Sequence, residues 1–131
     1  MICSMGNLMK IMIDTHIFLW AISDPKKIDK TKIKYIQSLS NTIFLSSISV
    51  AEIMIKTSIG RLSFDYNPVD LAIDCGMELL DFTSNDAILL KELPFFHKDP
   101  FDRMLICQSI NNKYPIITDD VKFSNYDCKL I

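Results

Sequence analysis

Apolar and polar positions along this chain fall into blocks, in which short, almost continuous apolar runs are each followed by a stretch with helical spacing. Residues 10–13 (KIMI) form such a run and end at Asp14, after which 16–22 (HIFLWAI) reads as a short helix. Asp24-Pro25 has the form of a cap followed by proline at the first helical position. It predicts a helix over roughly 25–39 with Ile28, Ile33, Ile36 and Leu39 on its apolar side. The β-branched and aromatic run 42–47 (TIFLSS) predicts a second strand, and Ser49 is expected to cap a helix that stops at Gly60. Asn67-Pro68 opens a helix ending at Gly76, and 78–82 (ELLDF) reads as a third strand. Thr83 or Ser84 caps a helix to about Leu93, and Asp99-Pro100 opens one to about Asn112. A fourth strand is expected at 116–118, a short helical turn near 120–124, and a fifth strand at 128–131.

Strands that are apolar throughout and alternate with helices imply a parallel sheet covered on both faces, because right-handed crossovers place the helices there. The expected fold is a three-layer α/β/α sandwich with about five parallel strands, and sites in such sheets form beyond the carboxyl ends of the strands. At 131 residues and 49% hydrophobic content, one domain over 9–131 can bury a core, which excludes a disordered or fibrous chain. Residues 1–8 read as an extension ahead of the first strand. No apolar run approaches the ~20 residues that span a bilayer, and no secretion signal opens the chain, so the expected location is the cytoplasm. Cys3, Cys75, Cys107 and Cys128 lack any CxxC pair and read as reduced, packed thiols. A net charge of −2 argues against a broad basic surface for nucleic acid, though not against binding through a metal and a few lysines.

The carboxylates change the picture. Asp14 follows the first strand, Glu52 lies just after the second, Asp99 and Asp102 open a helix, and Asp119 and Asp120 follow the fourth strand. Each has a structural account. Asp14 suits a helix cap, and Glu52 suits both a capping box with Ser49 and an i,i+4 pair with Lys56. Asp99 and Asp102 suit a cap and first-turn acid, and Asp119 or Asp120 suits a turn. Independent caps need not converge, however, whereas three of these acids stand just past the ends of strands in one parallel sheet, where they would repel one another without a cation. Ligation by oxygen alone favours Mg²⁺, with Mn²⁺ possible, over zinc, because His16 and His97 are the sole histidines and lie far apart in sequence. Such an ion polarises a phosphoryl oxygen and activates water, so a phosphodiester is the natural substrate. No nucleophile elbow or phosphate-binding glycine loop is present.

Four segments in this order, IDTHIFLW, SSISVAEIMIK, HKDPFDRMLICQ and ITDDVKFSNY, resemble PIN-domain proteins of the VapC toxin type over about residues 10–131. The third is the most specific, being similar to the HxDPFDRxLIxQ signature of one branch of that family. The resemblance implies an α/β/α sandwich and a Mg²⁺- or Mn²⁺-dependent endoribonuclease acting on RNA. It also implies a small VapB-type antitoxin as partner, and a homodimer. By position it selects Asp14, Glu52, Asp102 and Asp120 as metal ligands and catalytic acids, with Thr118 setting the T-x-D frame that prefers Asp120 to Asp119. Thr15, Lys56, His97, Arg103 and Thr118 are the expected substrate contacts, and the lysines at 26, 27, 30, 32 and 34 read as a solvated helix face. Two rivals stand beside this reading: a phosphoacceptor receiver domain, and a catalytically silent PIN-like module that binds RNA or a protein.

Overall fold

A computed structural model of the chain describes residues 8–131. The expected extension at 1–8 lies, apart from the exposed Leu8, outside the described residues, as does Cys3. Strands β1 (Lys10–Ile13), β2 (Thr42–Ser46), β3 (Glu78–Leu80) and β4 (Ile116–Ile117) form one sheet in the order β3-β2-β1-β4, with every pairing parallel. Helices α1 (Thr15–Ser23), α2 (Lys30–Gln37), α3 (Ser47–Ser58), α4 (Pro68–Asp74), α5 (Ser84–Ile88) and α6 (Pro100–Asn112) connect and cover it.

The period of two along the strands divides the core into layers. Ile11, Ile13, Ile43 and Leu45 point to one face, where they pack with Ile17 and Phe18 of α1, Ile53 of α3 and Ala72 of α4. Met12 and Phe44 point to the other and meet Leu105, Ile106 and Cys107 of α6 together with Phe123. The result is the three-layer α/β/α arrangement with a parallel sheet expected from the sequence.

The strand order locates the opening. The chain steps outward from β1 to β2 to β3 on one side and then crosses to place β4 on the other, so the order reverses between β1 and β4. Crevices in open parallel sheets form at that reversal. A receiver domain winds its first three strands in the order 2-1-3, and this sheet does not, which removes that rival.

Several local expectations are corrected. The helix foreseen over 25–39 is a 3₁₀ turn (Pro25–Lys27) followed by α2, because the Asp29 carboxylate accepts the Thr31 and Lys32 N–H groups and starts a new helix. Leu39 lies past the end of α2 and is fully exposed, whereas Ile28, Ile33 and Ile36 do pack against the core. Ser46, not Ser49, caps α3, since its hydroxyl accepts the Ile48 N–H, so the capping box imagined for Ser49 and Glu52 does not form. Helix α5 is short and passes into a 3₁₀ turn (Leu89–Lys91). The fifth strand shrinks to one parallel bridge between Ile116 and Leu130, because β4 is two residues long and offers no further ladder positions. Cys107 and Cys128 are buried thiols as foreseen, but Cys75 is exposed. No helix among the described residues is long and apolar enough to cross a membrane.

Because Ser46 is fully buried and its hydroxyl accepts the Ile48 N–H at the start of α3, Ser46→Ala is expected to destabilise the protein by about 1 kcal/mol. Urea denaturation of Ser46→Ala beside wild type checks this; an unchanged stability would contradict the cap assignment.

Candidate metal centre

The end of β1 delivers Asp14 into the crevice. Its backbone still belongs to the sheet, with its N–H donating to the Ile117 carbonyl at 3.1 Å, while its side chain starts α1. One carboxylate oxygen accepts the Ile17 N–H at 2.8 Å and the other accepts the Thr118 hydroxyl at 2.5 Å, so the buried acid joins β1, α1 and the end of β4. Thr118 is buried too, and its hydroxyl oxygen accepts the Asp120 N–H at 3.0 Å. One threonine therefore sets both the first and the last acid.

Asp120 divides its oxygens in the same way. Oδ1 accepts the Lys122 N–H at 2.9 Å and caps a 3₁₀ turn (Val121–Asn125), and Oδ2 lies 2.7 Å from His97 Nε2. The same His97 nitrogen is 3.1 Å from Asp102 Oδ2. On the far side of the ring, Nδ1 accepts the Asp99 N–H at 3.2 Å, which assigns the ring hydrogen to Nε2. His97 thus donates toward two acids at once, and one ligand atom from each of His97, Asp102 and Asp120 lies within 4.8 Å of the others.

Asp99 and Asp102 have different tasks. Asp99 caps α6 by accepting the Phe101 and Asp102 N–H groups, which leaves the carboxylate of Asp102 free of capping and turned toward the crevice. Asp119 stands at the rim, exposed and 3.9 Å from Lys32 Nζ. Lys32 also donates to the Thr118 carbonyl at 2.8 Å. This lysine of the presumed solvated cluster therefore holds the loop that carries Thr118 and Asp120, a contact across 86 residues of chain that no local pattern announces. Glu52, on α3, is buried; Oε2 pairs with Lys56 at 2.5 Å, and Oε1 is buried with no hydrogen-bond partner among the described residues.

The remaining expected contacts are engaged elsewhere. Thr15 is buried and donates to the Ser49 hydroxyl at 2.9 Å, which ties α1 to α3. Arg103, expected beside a phosphate, is buried, and its guanidinium donates to the Leu93, Pro94 and His97 carbonyls. Its donors secure the 93–97 loop rather than facing the crevice.

Charge accumulates accordingly. Burial pushes the Asp102 carboxyl up to about 7, and Asp99, Glu52 and Asp14 push the same way against the opposing pull of His97. Burial likewise raises Asp14 above the ordinary carboxylate range despite its hydrogen bonds from Thr118 and Ile17, and Asp120 adds to the rise. Burial would also raise Asp120, but the Lys122 N–H and His97 outweigh it and hold that acid low. The donor set suits a hard divalent cation: carboxylates from four elements within electrostatic reach, and a buried Glu52 oxygen with nothing to bind. With its hydrogen fixed on Nε2, His97 suits the role of orienting Asp102 and Asp120.

A parallel sheet with an order reversal and carboxylates at the reversal defines an α/β protein with an acidic crevice at its strand ends. The family model of the PIN domain matches residues 11–129, and the chain belongs to that family. Its fold is similar to that of a chain in the structure of VapBC2 from Rickettsia felis bound to a DNA fragment from their promoter, with TM-score 0.69 and 24% identity over 94% of this chain and 98% of that one. A chain of VapBC-1 from nontypeable Haemophilus influenzae is similar as well, with TM-score 0.64 and 21% identity over 94% and 97%. So is a chain of VapBC-5 from Mycobacterium tuberculosis, a member of the VapBC family of toxin-antitoxin systems, with TM-score 0.59 and 15% identity over 93% and 95%. No curated protein matches the chain.

The raised Asp102 carboxyl has a signed consequence. Between its ordinary value of 3.8 and about 7 the unfolded chain has released this proton while the folded protein still holds it, so stability falls as pH rises through that window. In chelator, the thermal midpoint of wild type relative to Asp102→Asn is expected to drop between about pH 4 and 7 and then level off. A difference that stays flat across this range would remove Asp102 from the strained cluster.

Proposed function

We propose that this protein is a divalent-metal-dependent endoribonuclease and the toxin of a VapBC-type toxin–antitoxin pair, acting in the cytoplasm. The observation that supports the reading is the cluster of His97, Asp102 and Asp120, with Asp14 and Glu52 near enough to act on the charge of a buried Asp102 and with a buried Glu52 oxygen left unpartnered. Membership of the PIN family, whose members are generally nucleases, supports it.

On this reading Asp14, Glu52, Asp102 and Asp120 hold Mg²⁺, or Mn²⁺ in its place, which when bound polarises a phosphoryl oxygen and activates water for in-line hydrolysis. The chain's own residues fix the geometry. Thr118 and the Ile17 N–H orient Asp14, the His97 ring N–H draws Asp102 and Asp120 together, and Lys32 braces the loop between Thr118 and Asp120. Lys56 pairs with Glu52, so on this reading it would meet an RNA phosphate by giving up that pair. The partners on this reading are RNA as substrate, a small VapB-type antitoxin as inhibitor and a second copy of the chain in a homodimer. Likeness to chains from VapBC structures supports the antitoxin.

Incubating the purified protein with a mixed RNA pool is expected to yield fragments with 5′-phosphate and 3′-hydroxyl ends in Mg²⁺, and none in chelator or with Asp14→Asn. Replacing His97 with alanine, which removes an orienting donor but no carboxylate, should lower the cleavage rate about 10–100-fold. Cleavage indifferent to both chelator and Asp14→Asn would sink the metal-nuclease reading. Growth unaffected by expression of wild type would count against the toxin role alone.

A further inference from the structure

Two exposed phenylalanines lie next to the carboxylate cluster. Phe95 and Phe96 are 79% and 55% exposed, although they immediately precede the buried His97 that holds Asp102 and Asp120. A single exposed apolar side chain is ordinary on a protein surface. Two adjacent aromatic rings on a loop held as firmly as this one are not.

The hold is extensive. Arg103 donates to the Leu93 carbonyl at 3.0 Å, to the Pro94 carbonyl at 2.8 Å and to the His97 carbonyl at 3.3 Å. The Tyr126 hydroxyl accepts the His97 N–H and donates to the Pro94 carbonyl, both at 2.7 Å. The rings share in this order. The Arg103 guanidinium lies 3.9 Å from the centre of the Phe95 ring and covers one face, and Phe96 meets Tyr126 edge to face at 5.3 Å. The Phe95 ring therefore has a cation beneath one face, and its high exposure leaves the opposite face to solvent. An aromatic face preorganised in this way accepts a flat partner with little loss of conformational entropy.

We propose that Phe95 and Phe96 form a stacking platform for unpaired bases of the RNA. The proposal rests on the endoribonuclease reading for the class of ligand. Bases in a duplex already stack on one another, and only a strand with unpaired bases can lay them on side-chain rings. Exposed Lys98, directly after His97, and exposed Lys122, two residues beyond Asp120, flank the cluster with cations suited to the phosphates of the same strand. Aromatic rings interleaved with lysines are the pattern of a single-strand path. A purely apolar docking face for a protein would not need that pattern.

The test is binding of a short unstructured oligoribonucleotide in chelator, where metal-dependent cleavage cannot consume the probe, read by fluorescence anisotropy. The arms are the same strand annealed to its complement and the same strand with abasic sites. Phe95→Ala and Phe96→Ala are each expected to weaken binding of the single strand about 10-fold, and Phe95→Trp to retain it, while binding of the duplex and abasic probes is insensitive to all three. Phe95→Leu keeps apolar cover over Arg103 without an aromatic face and should weaken binding like alanine, with an unchanged thermal midpoint showing that the loop is intact. Equal losses on the abasic probe would overturn the platform. So would undiminished binding by the doubly substituted protein, which would assign the rings to a protein partner instead. Failure of wild type to cleave any RNA with metal would sink the nuclease reading separately, since the binding comparison does not depend on turnover.

Discussion

The hydrogen bond between Thr118 and Asp14 is the constraint on which the rest of the site depends. It joins residues 104 positions apart, at the ends of the two strands between which the sheet order reverses. It acts beside the Asp14 N–H, which donates to the Ile117 carbonyl. With it, the end of β4 is fixed relative to β1, and Asp120, whose N–H is also held by Thr118, is placed with respect to Asp14. A carboxylate as buried as Asp14 is costly to ionise, and the Thr118 hydroxyl and Ile17 N–H offset part of that cost without removing it. The strain that remains is what a bound cation would relieve.

Structural and chemical accounts of these acids turn out not to compete, because a carboxylate has two oxygens. Asp14 caps α1 with one and holds Thr118 with the other; Asp120 caps a turn with one and meets His97 with the other. In the Asp-Pro-Phe-Asp segment the tasks go to separate residues. Asp99 takes both amides of the helix start, so Asp102 can face the crevice without any capping duty. Capping also fixes the orientation of the acids, and a ligand set preorganised by its own backbone loses less entropy on binding an ion.

What could be read from the sequence followed from how local each determinant is. Strands β1, β2 and β3, the proline-led starts of α4 and α6, and the layered α/β class all rest on patterns within a few residues, and they appear where those patterns put them. The start of α3 failed because two serines three residues apart offer equally good caps, and only the length of β2 decides for Ser46. The break before α2 rests on Asp29, whose carboxylate accepts two N–H groups only five residues after the similar start signal of Asp24-Pro25. The roles of His97, Lys32 and Arg103 depend on where distant segments meet, which spacing does not encode. Arg103 adjoins Asp102 in sequence, yet neighbours on a helix point about 100° apart, so the acid faces the crevice while the guanidinium turns under the 93–97 loop.

On the proposed nuclease reading, an acidic site in a chain of net charge −2 raises the question of how a polyanion would be held there at all. Two of the lysines near the acids are already engaged, Lys56 with Glu52 and Lys32 with the Thr118 carbonyl and Asp119, so exposed Lys98 and Lys122 remain. That leaves few cations for phosphates, and binding driven by counterion release scales with the number of phosphates neutralised. Stacking does not carry this limit, because a base presents the same uncharged face whatever the potential around it, and each stacked base contributes about 1–3 kcal/mol. Affinity built from rings rather than lysines also leaves the acid cluster less compensated by protein cations, and so more demanding of a metal. On the proposed reading, the acidity that would attract a divalent ion and the exposed aromatic rings that would hold the strand are two parts of one solution.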